Sequence, residues 1–265
     1  MSRYTGVCAT LAGVVLGVLG ALEPARASAF RVSPVQVALS AKASSTLLTL
    51  SNESSESLRF QVRVYAWNQK PDGEMELAPT DDLVVFPTLI TLPAGKDRKV
   101  RIGSATSFGA SEKSYRVFFE ELPPVAGTGE ATTQAEVRVL TRMGIPIFLR
   151  PQKPQSAGAI EGLALEGGHL RFLVRNDGNA HFVLRAVRIK GVGAAGDPVF
   201  DRDLEGWYVL SGGTRAYDLA IPAELCSQVT GVMVESETEQ DTFTARLEPP
   251  AGGCGTPDAP PPSSR

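Results

Sequence analysis

Histidine is the side chain that most readily moves protons near neutral pH, and this chain of 265 residues has only two, His169 and His181. A Ser-His-Asp or Cys-His engine needs a base held beside its nucleophile, and neither histidine is supplied with such neighbours. His181, in Asn179-Ala180-His181-Phe182, follows a turn and reads as the residue that opens a strand. Glu120 and Glu121 are adjacent at a strand end, so their side chains face opposite sides of a sheet and cannot form an acid–base pair. Asp81-Asp82 reads as a surface carboxylate pair on a turn rather than a calcium site. No phosphate-cradling glycine loop precedes a helix. The expectation is a protein that is not an enzyme, with no catalytic residues, no metal site and no cofactor.

The cysteines carry the remaining chemistry. Cys8 lies inside an apolar N-terminal run, which leaves Cys226 and Cys254. In an oxidising compartment a lone pair is most simply a disulfide, here tying the chain near Leu225 to the segment after Pro249-Pro250. Two free thiols are the alternative, since Cys254 sits in a Gly-rich tail. No CxxC pair is present.

The stretch around which the chain is organised runs from Tyr115 to Pro151. Its first strand, Tyr115 to Leu122, sets Tyr115, Val117 and Phe119 on one face and Arg116, Phe118 and Glu120 on the other. Pro123-Pro124 ends it, because proline has no N–H for a ladder. After a Gly-rich connection the second strand, from about Thr133 to Leu149, alternates again. Ala135, Val137, Val139, Thr141 and Met143 point one way; Glu136, Arg138 and Arg142 point the other, with Leu140 the exception. That length exceeds an ordinary strand, so it either serves two structural tasks or offers a free edge.

The flanks read as strands and turns. Residues 34–39, Ser45 to Ser51, Leu58 to Trp67, residues 83–92 (interrupted by Pro87) and Lys99 to Ile102 precede that stretch. Lys70-Pro71-Asp72-Gly73 is a turn in which proline presets φ and glycine accepts a positive one. No helical period is long enough to count, so a β-sandwich is expected, ending at about Pro151. Lys153 to Ala159 reads as a linker. A second, smaller sandwich follows through Leu170 to Arg175, Phe182 to Ile189, Trp207 to Leu210, Tyr217 to Ile221, Val229 to Glu235 and Thr242 to Leu247. From Ala251 the chain is too rich in Gly, Pro and Ser to order itself.

Arg3, the apolar run Val7 to Leu22 and the small residues of Pro24 to Ala29 predict a signal peptide cleaved after Ala27 or after Ala29. An uncleaved anchor is the alternative, disfavoured because the run is shorter than the ~20 residues of a span. The mature protein is expected to be exported and free of membrane. A net charge of −3 argues against a general nucleic-acid binder. The predicted organisation is signal peptide 1–29, first sandwich 30–151, second sandwich 152–250 and tail 251–265.

These residues also resemble a family. PVQVAL, LTLSN, Leu92-Pro93-Ala94-Gly95 followed by Val100-Arg101-Ile102, then YRVFFEELPP and PIFLRP occur in the order found in periplasmic pilus-assembly chaperones of the chaperone–usher pathway. RNDGNAHFVL in the second sandwich is similar too. The RVYAW strand and PTDDLVVFP look most like the archaic branch associated with spore coat protein U. The resemblance implies an all-β protein of two immunoglobulin-like sandwiches set at an angle with a cleft between them. It implies a chaperone that binds incomplete pilin subunits by donor-strand complementation and delivers them to an outer-membrane usher. The donor row carried over is Ala135, Val137, Val139 and Thr141, the row that alternation alone separates.

The sequence departs from the family at one point. Where the best-known members place two basic residues that anchor the subunit's terminal carboxylate, this chain has Gln36 and Pro146, neither of them charged. Arg142 is the candidate anchor nearby, and Arg116 belongs to the neighbouring strand. By resemblance, Arg150 instead joins an interdomain ion pair with Glu112. An exported structural or adhesive sandwich of a surface fibre is the alternative function, and two complete sandwiches count against a pilin. A free chaperone with such an edge could also cap itself as a dimer.

Overall fold

Strict apolar–polar alternation commits most of this chain to strands with one buried face, and the computed structural model builds them into two β-sandwiches. It describes residues 29–124, 139–249 and 253–254. The N-terminal strands are β1 (Phe30–Ser33), β2 (Val37–Leu39), β3 (Ser45–Asn52), β4 (Leu58–Gln69), β5 (Met75–Pro79), β6 (Leu83–Phe86), β7 (Leu89–Leu92), β8 (Asp97–Ser104), β9 (Lys113–Leu122) and β10 (Arg142–Leu149). One sheet runs β1-β3-β8-β6; the other runs β2-β10-β9-β4-β5, with β7 also paired to β4. The chain changes sheets between β1 and β2, at Pro34, where a ladder donor is missing. Leu48, Leu50, Val100 and Ile102 of the first sheet meet Phe60, Val62, Val117, Phe119, Ile145 and Ile147 of the second, all buried in one core.

The C-terminal strands are β11 (Gly158–Glu166), β12 (His169–Asn176), β13 (Phe182–Val183), β14 (Ala186–Val192), β15 (Pro198–Leu204), β16 (Tyr208–Val209), β17 (Thr214–Ala220), β18 (Gly231–Glu237) and β19 (Thr242–Leu247). They form β11-β12-β17, the pair β13-β16 and β15-β14-β18-β19 around a separate core centred on Leu170, Phe172, Val187, Ile189 and Val234. A single helical turn, α1 (Ala223–Cys226), carries Cys226, which is disulfide-bonded to Cys254.

Two buried asparagines close loops that apolar packing cannot. Asn52 Nδ2 donates to the carbonyls of Glu56 and Leu92, and its Oδ1 accepts from Ser54 N. Asn176 does the same in the second sandwich, donating to Ala180 O and Val209 O and accepting from Gly178 N. Each satisfies buried backbone carbonyls at a strand end.

The structure adds strands to the expected set. β5 and β15 run through stretches too polar to show an apolar row, and β11 starts at Gly158, inside the expected linker. Pro87 divides the expected run 83–92 into β6 and β7, which join different sheets. β10 starts at Arg142 rather than at about Thr133. Ala135 and Val137 of the expected row, the apolar N-terminal run with Cys8, and all of the tail except Gly253 and Cys254 lie outside the described residues.

Candidate functional site

The site is β10 and the face it presents to the second sandwich. β10 pairs antiparallel with β9 along its whole length, from Arg142 opposite Glu120 to Leu149 opposite Lys113. On its other edge the short strand β2 pairs in parallel with Ile147 to Leu149 alone. Among the described residues, nothing pairs with that edge over Arg142 to Pro146. An unpaired edge presents N–H and C=O groups to any strand of suitable sequence.

Side-chain parity gives the edge a second property. Met143, Ile145, Ile147 and Leu149 pack into the N-terminal core. Val139 and Thr141 continue the same odd-numbered row, and the ladder to β9 extends to Thr141, whose carbonyl accepts from Glu121 N at 3.0 Å. Yet Val139 is 52% exposed and its neighbour Leu140 43%. An apolar row that is core at one end therefore emerges into solvent at the other.

The opposite face of β10 and β9 carries the arginines. Arg142 Nε lies 2.8 Å from Glu120 Oε1, and its guanidinium stacks 3.8 Å from the Phe118 ring centroid. Its charge is already met. Gly144 lets Phe118 lie across β10, because a Cβ there would come within 2.7 Å of the ring. Arg116, opposite Pro146, differs: it is 8% exposed, and among the described residues its buried Nε and Nη2 have no acceptor. Its guanidinium sits 3.9 Å over Trp67 and 5.8 Å from the Tyr208 ring centroid. Burial pushes its pKa down, with the Tyr208 phenol acting in the opposite sense. Gln36 Oε1 accepts a hydrogen bond from the Tyr208 hydroxyl at 3.2 Å.

The two sandwiches meet beside this face. Trp67, Phe148 and Leu210 are buried together, with Tyr208 and Leu77 packed against them. Glu112 does reach the second sandwich, but its partner is His181 and not Arg150. His181 Nδ1 lies 2.6 Å from Glu112 Oε1, and His181 N donates to the same oxygen at 3.0 Å. Arg150, the last residue before Pro151, stands exposed, and no ion pair joins it to Glu112. β10 ends at Leu149, so its final inward-facing positions are apolar and Arg150 turns outward. Asn179 completes the contact, donating to Ala110 O at 2.8 Å and Lys153 O at 3.1 Å. His181 opens β13 as the sequence implies; its role across the boundary, and that of Asn179, depend on tertiary contacts that no local pattern encodes.

Asp82 is structural. It accepts from the Tyr115 hydroxyl at 2.6 Å and Lys113 Nζ at 3.1 Å. The Tyr115 hydrogen bond holds its carboxyl below the usual range, and burial, then Asp82, pushes the Tyr115 phenol up. Among the described residues, no group of three or more His, Cys, Asp or Glu side chains could hold a metal.

Comparison with known proteins gives a family match over the N-terminal sandwich and a fold for both. Residues 29–155 match the family described as pili and flagellar-assembly chaperone, PapD N-terminal domain. The crystal structure of the class 5 fimbriae chaperone CfaA is 17% identical, with a TM-score of 0.56, covering 83% of this chain and 100% of that one. The CsuC–CsuE chaperone–tip subunit pre-assembly complex, from archaic chaperone–usher pili of Acinetobacter baumannii, matches at 17% identity and a TM-score of 0.57, over 82% of this chain and 98% of that one. The E. coli chaperone DraB matches at 18% identity and a TM-score of 0.54, over 83% and 97%. At these identities the likeness is one of fold: two immunoglobulin-like sandwiches. No curated protein sequence matches the chain.

Proposed function

We propose that this protein, whose residues 29–155 match the pili and flagellar-assembly chaperone family, captures incomplete pilin subunits by lending them a strand and hands them to an outer-membrane usher. The donor is the segment that runs into β10, with Ala135, Val137, Val139 and Thr141 as the row that enters the subunit. The setting is the periplasm, after removal of the N-terminal segment, and the archaic branch is the subfamily whose sequence pattern fits best. The mature chain acts without cofactor or catalysis.

The observation that carries the reading is the change of environment along one row. Met143, Ile145, Ile147 and Leu149 fill the protein's own core, while Val139, of the same parity, is exposed beside an edge that has no neighbour among the described residues. A second sandwich that lacks a strand would bury Val139 as the first buries Ile145, at about 1.5–3 kcal/mol for such a side chain. Backbone pairing along Arg142 to Pro146 would supply the register.

Val139→Asp tests it. The variant should melt cooperatively near the wild-type temperature yet fail to co-purify with pilin subunits encoded beside it, because a carboxylate cannot enter an apolar groove unpaired. Arg138→Asp, on the opposite row, should reduce capture much less. Loss of the cooperative transition in Val139→Asp would mean that this row belongs to the chaperone's own core. Sedimentation of the free protein would then show whether the edge is capped by a second copy.

A further inference from the structure

The turn between β4 and β5 reaches beyond its own sandwich. β4 pairs with β9 as far as Ala66, opposite Tyr115, and its last residues, Trp67 to Gln69, have β5 alone as strand partner among the described residues. Lys70-Pro71-Asp72-Gly73 therefore closes a two-stranded arm rather than the end of a full sheet. A hairpin tip is ordinarily left to water, yet Gln69 Oε1 and Nε2 at the base of this one are buried. The tip is held in shape by its own bonds. Lys70 N donates to Glu74 O at 3.0 Å, Gly73 N to Lys70 O at 2.9 Å and Glu74 N to Asp72 Oδ1 at 2.9 Å.

That tip lies on the second sandwich. Pro71 O accepts from Ala216 N at 2.7 Å, a backbone bond from one sandwich to the other. Ala216 belongs to β17, an edge strand whose ladder neighbour among the described residues is β12 alone, so this N–H points away from its own sheet. Gly73 has a φ of +91°, and the Arg215 guanidinium occupies the space a Cβ would take there, with Cζ 2.8 Å from that point. Leu77 of β5 packs on the buried cluster of Trp67, Phe148 and Leu210. In the order β2-β10-β9-β4-β5, the arm stands on one side of β9 and β10, whose Phe148 stacks on His181, on the other. At the ordinary strand spacing the two links are about 10–15 Å apart across the sheet. One link leaves a pivot; two at that separation remove it.

We propose that the β4–β5 arm fixes the angle between the two sandwiches, with Gly73 and Ala216 as positioning residues on which subunit capture depends although they lie far from the donor edge. Its bearing on capture rests on the function proposed above, whereas the fixed angle stands on the contacts alone. Domains joined by a small interface move relative to one another by default. A partner that needs one angle binds only the fraction of molecules that hold it. Loosening the arm therefore weakens capture and leaves the row of Val139 and Thr141 untouched.

The test measures residual dipolar couplings of the mature protein, which fit one alignment tensor when the sandwiches move as one body and two when they do not. The wild type should give one. Gly73→Ala, which drives the turn and Arg215 apart, should give two. So should Ala216→Pro, which deletes the donor on an edge strand, where proline is tolerated. If Ala216→Pro loses its C-terminal melting transition, Gly73→Ala decides alone. Gly95→Ala is the control: Gly95 also has a positive φ, +64°, but nothing lies within 4 Å of its Cβ position. It should keep one tensor. Co-purification with pilin subunits encoded beside the protein should fall about three- to tenfold in the arm variants, the worth of one lost hydrogen bond, and hold in Gly95→Ala. A single tensor in both arm variants, or two tensors in Gly95→Ala, overturns the arm. Two tensors with undiminished capture, where Val139→Asp still abolishes capture, leaves the donor-strand reading standing and removes the arm from it. Two tensors in the arm variants of a protein that captures no pilin even as wild type keeps the arm and sinks the donor-strand reading.

Discussion

Phe148 and His181 stack face to face across the boundary between the two sandwiches, ring centroids 3.6 Å apart and planes inclined by 16°. Phe148 belongs to β10, the strand with the free edge, and His181 is tied in turn to Glu112 just before β9. The Phe148 ring and the Glu112 carboxylate thus meet the second sandwich at the same residue, His181.

Removing Glu112 should therefore loosen the domain pair more than either domain. Glu112→Ala leaves His181 N and Nδ1 without their acceptor in a buried place, at a cost of about 2–4 kcal/mol. Denaturant unfolding should change from one transition to two, and limited proteolysis should cut near residues 150–157 faster than in the wild type. His181→Ala should show the same separation, because it removes both the ring stack and the pair. A single unaltered transition in both variants would mean that Trp67, Phe148 and Leu210 suffice to lock the domains.

The disulfide should matter to one domain only. Cys226 and Cys254 are separated by 28 residues, and closing such a loop stabilises by about 3–4 kcal/mol on the chain-entropy argument. Cys254→Ser, or reduction of the wild type, should lower the melting transition of the C-terminal sandwich and leave that of the N-terminal one in place. On the proposed function, pilin capture should survive better than C-terminal stability, since β10 belongs to the N-terminal sandwich.

Acid sensitivity should reside partly at Asp82. Its carboxyl is held below the usual range by the Tyr115 hydroxyl, so the folded state binds its proton less readily than the unfolded state. That contribution is present above the unfolded value of about 4 and is lost as pH falls through the folded one. Tyr115 has the opposite sign: its phenol is pushed up, so its contribution is present below about pH 10 and is lost as pH rises through the folded value. Melting temperature against pH should thus have a flatter acid limb in Asp82→Asn and a flatter alkaline limb in Tyr115→Phe. Parallel curves for wild type and both variants would remove Asp82 and Tyr115 from the pH response.

Legibility varied with the kind of pattern involved. Strands with an apolar row, such as β4, β9 and β12, could be read because burial on one face imposes a period of two residues. β5, β11 and β15 could not be read as readily. They are edge strands, held by backbone pairing to a single neighbour, and pairing leaves little mark on composition. At the candidate site the parity of Val139 and Thr141 was legible, as was the pairing of Cys226 with Cys254 from cysteine number alone. The partner of Glu112 is not legible: the structure sets His181 against it rather than Arg150, because which side chain faces Glu112 depends on how a turn from the second sandwich is seated.

The sequence by itself determined an all-β chain, two sandwiches and a strand whose odd-numbered row is apolar beyond the needs of one core, because each follows from alternation and from the residues that break it. The tertiary structure decided which part of that row is already buried and, among the described residues, which stretch of β10 has no neighbour and that buried Arg116 has no carboxylate partner. Arg116 and Arg142 look alike in sequence, one on each of two adjacent strands and both on the polar face. Glu120 stands opposite Arg142, whereas Pro146 stands opposite Arg116 beneath the rings of Trp67 and Tyr208. The difference lies in register and in the approach of the second sandwich. Both are long-range relations, set by how strands pair rather than by the residues beside each arginine in the chain.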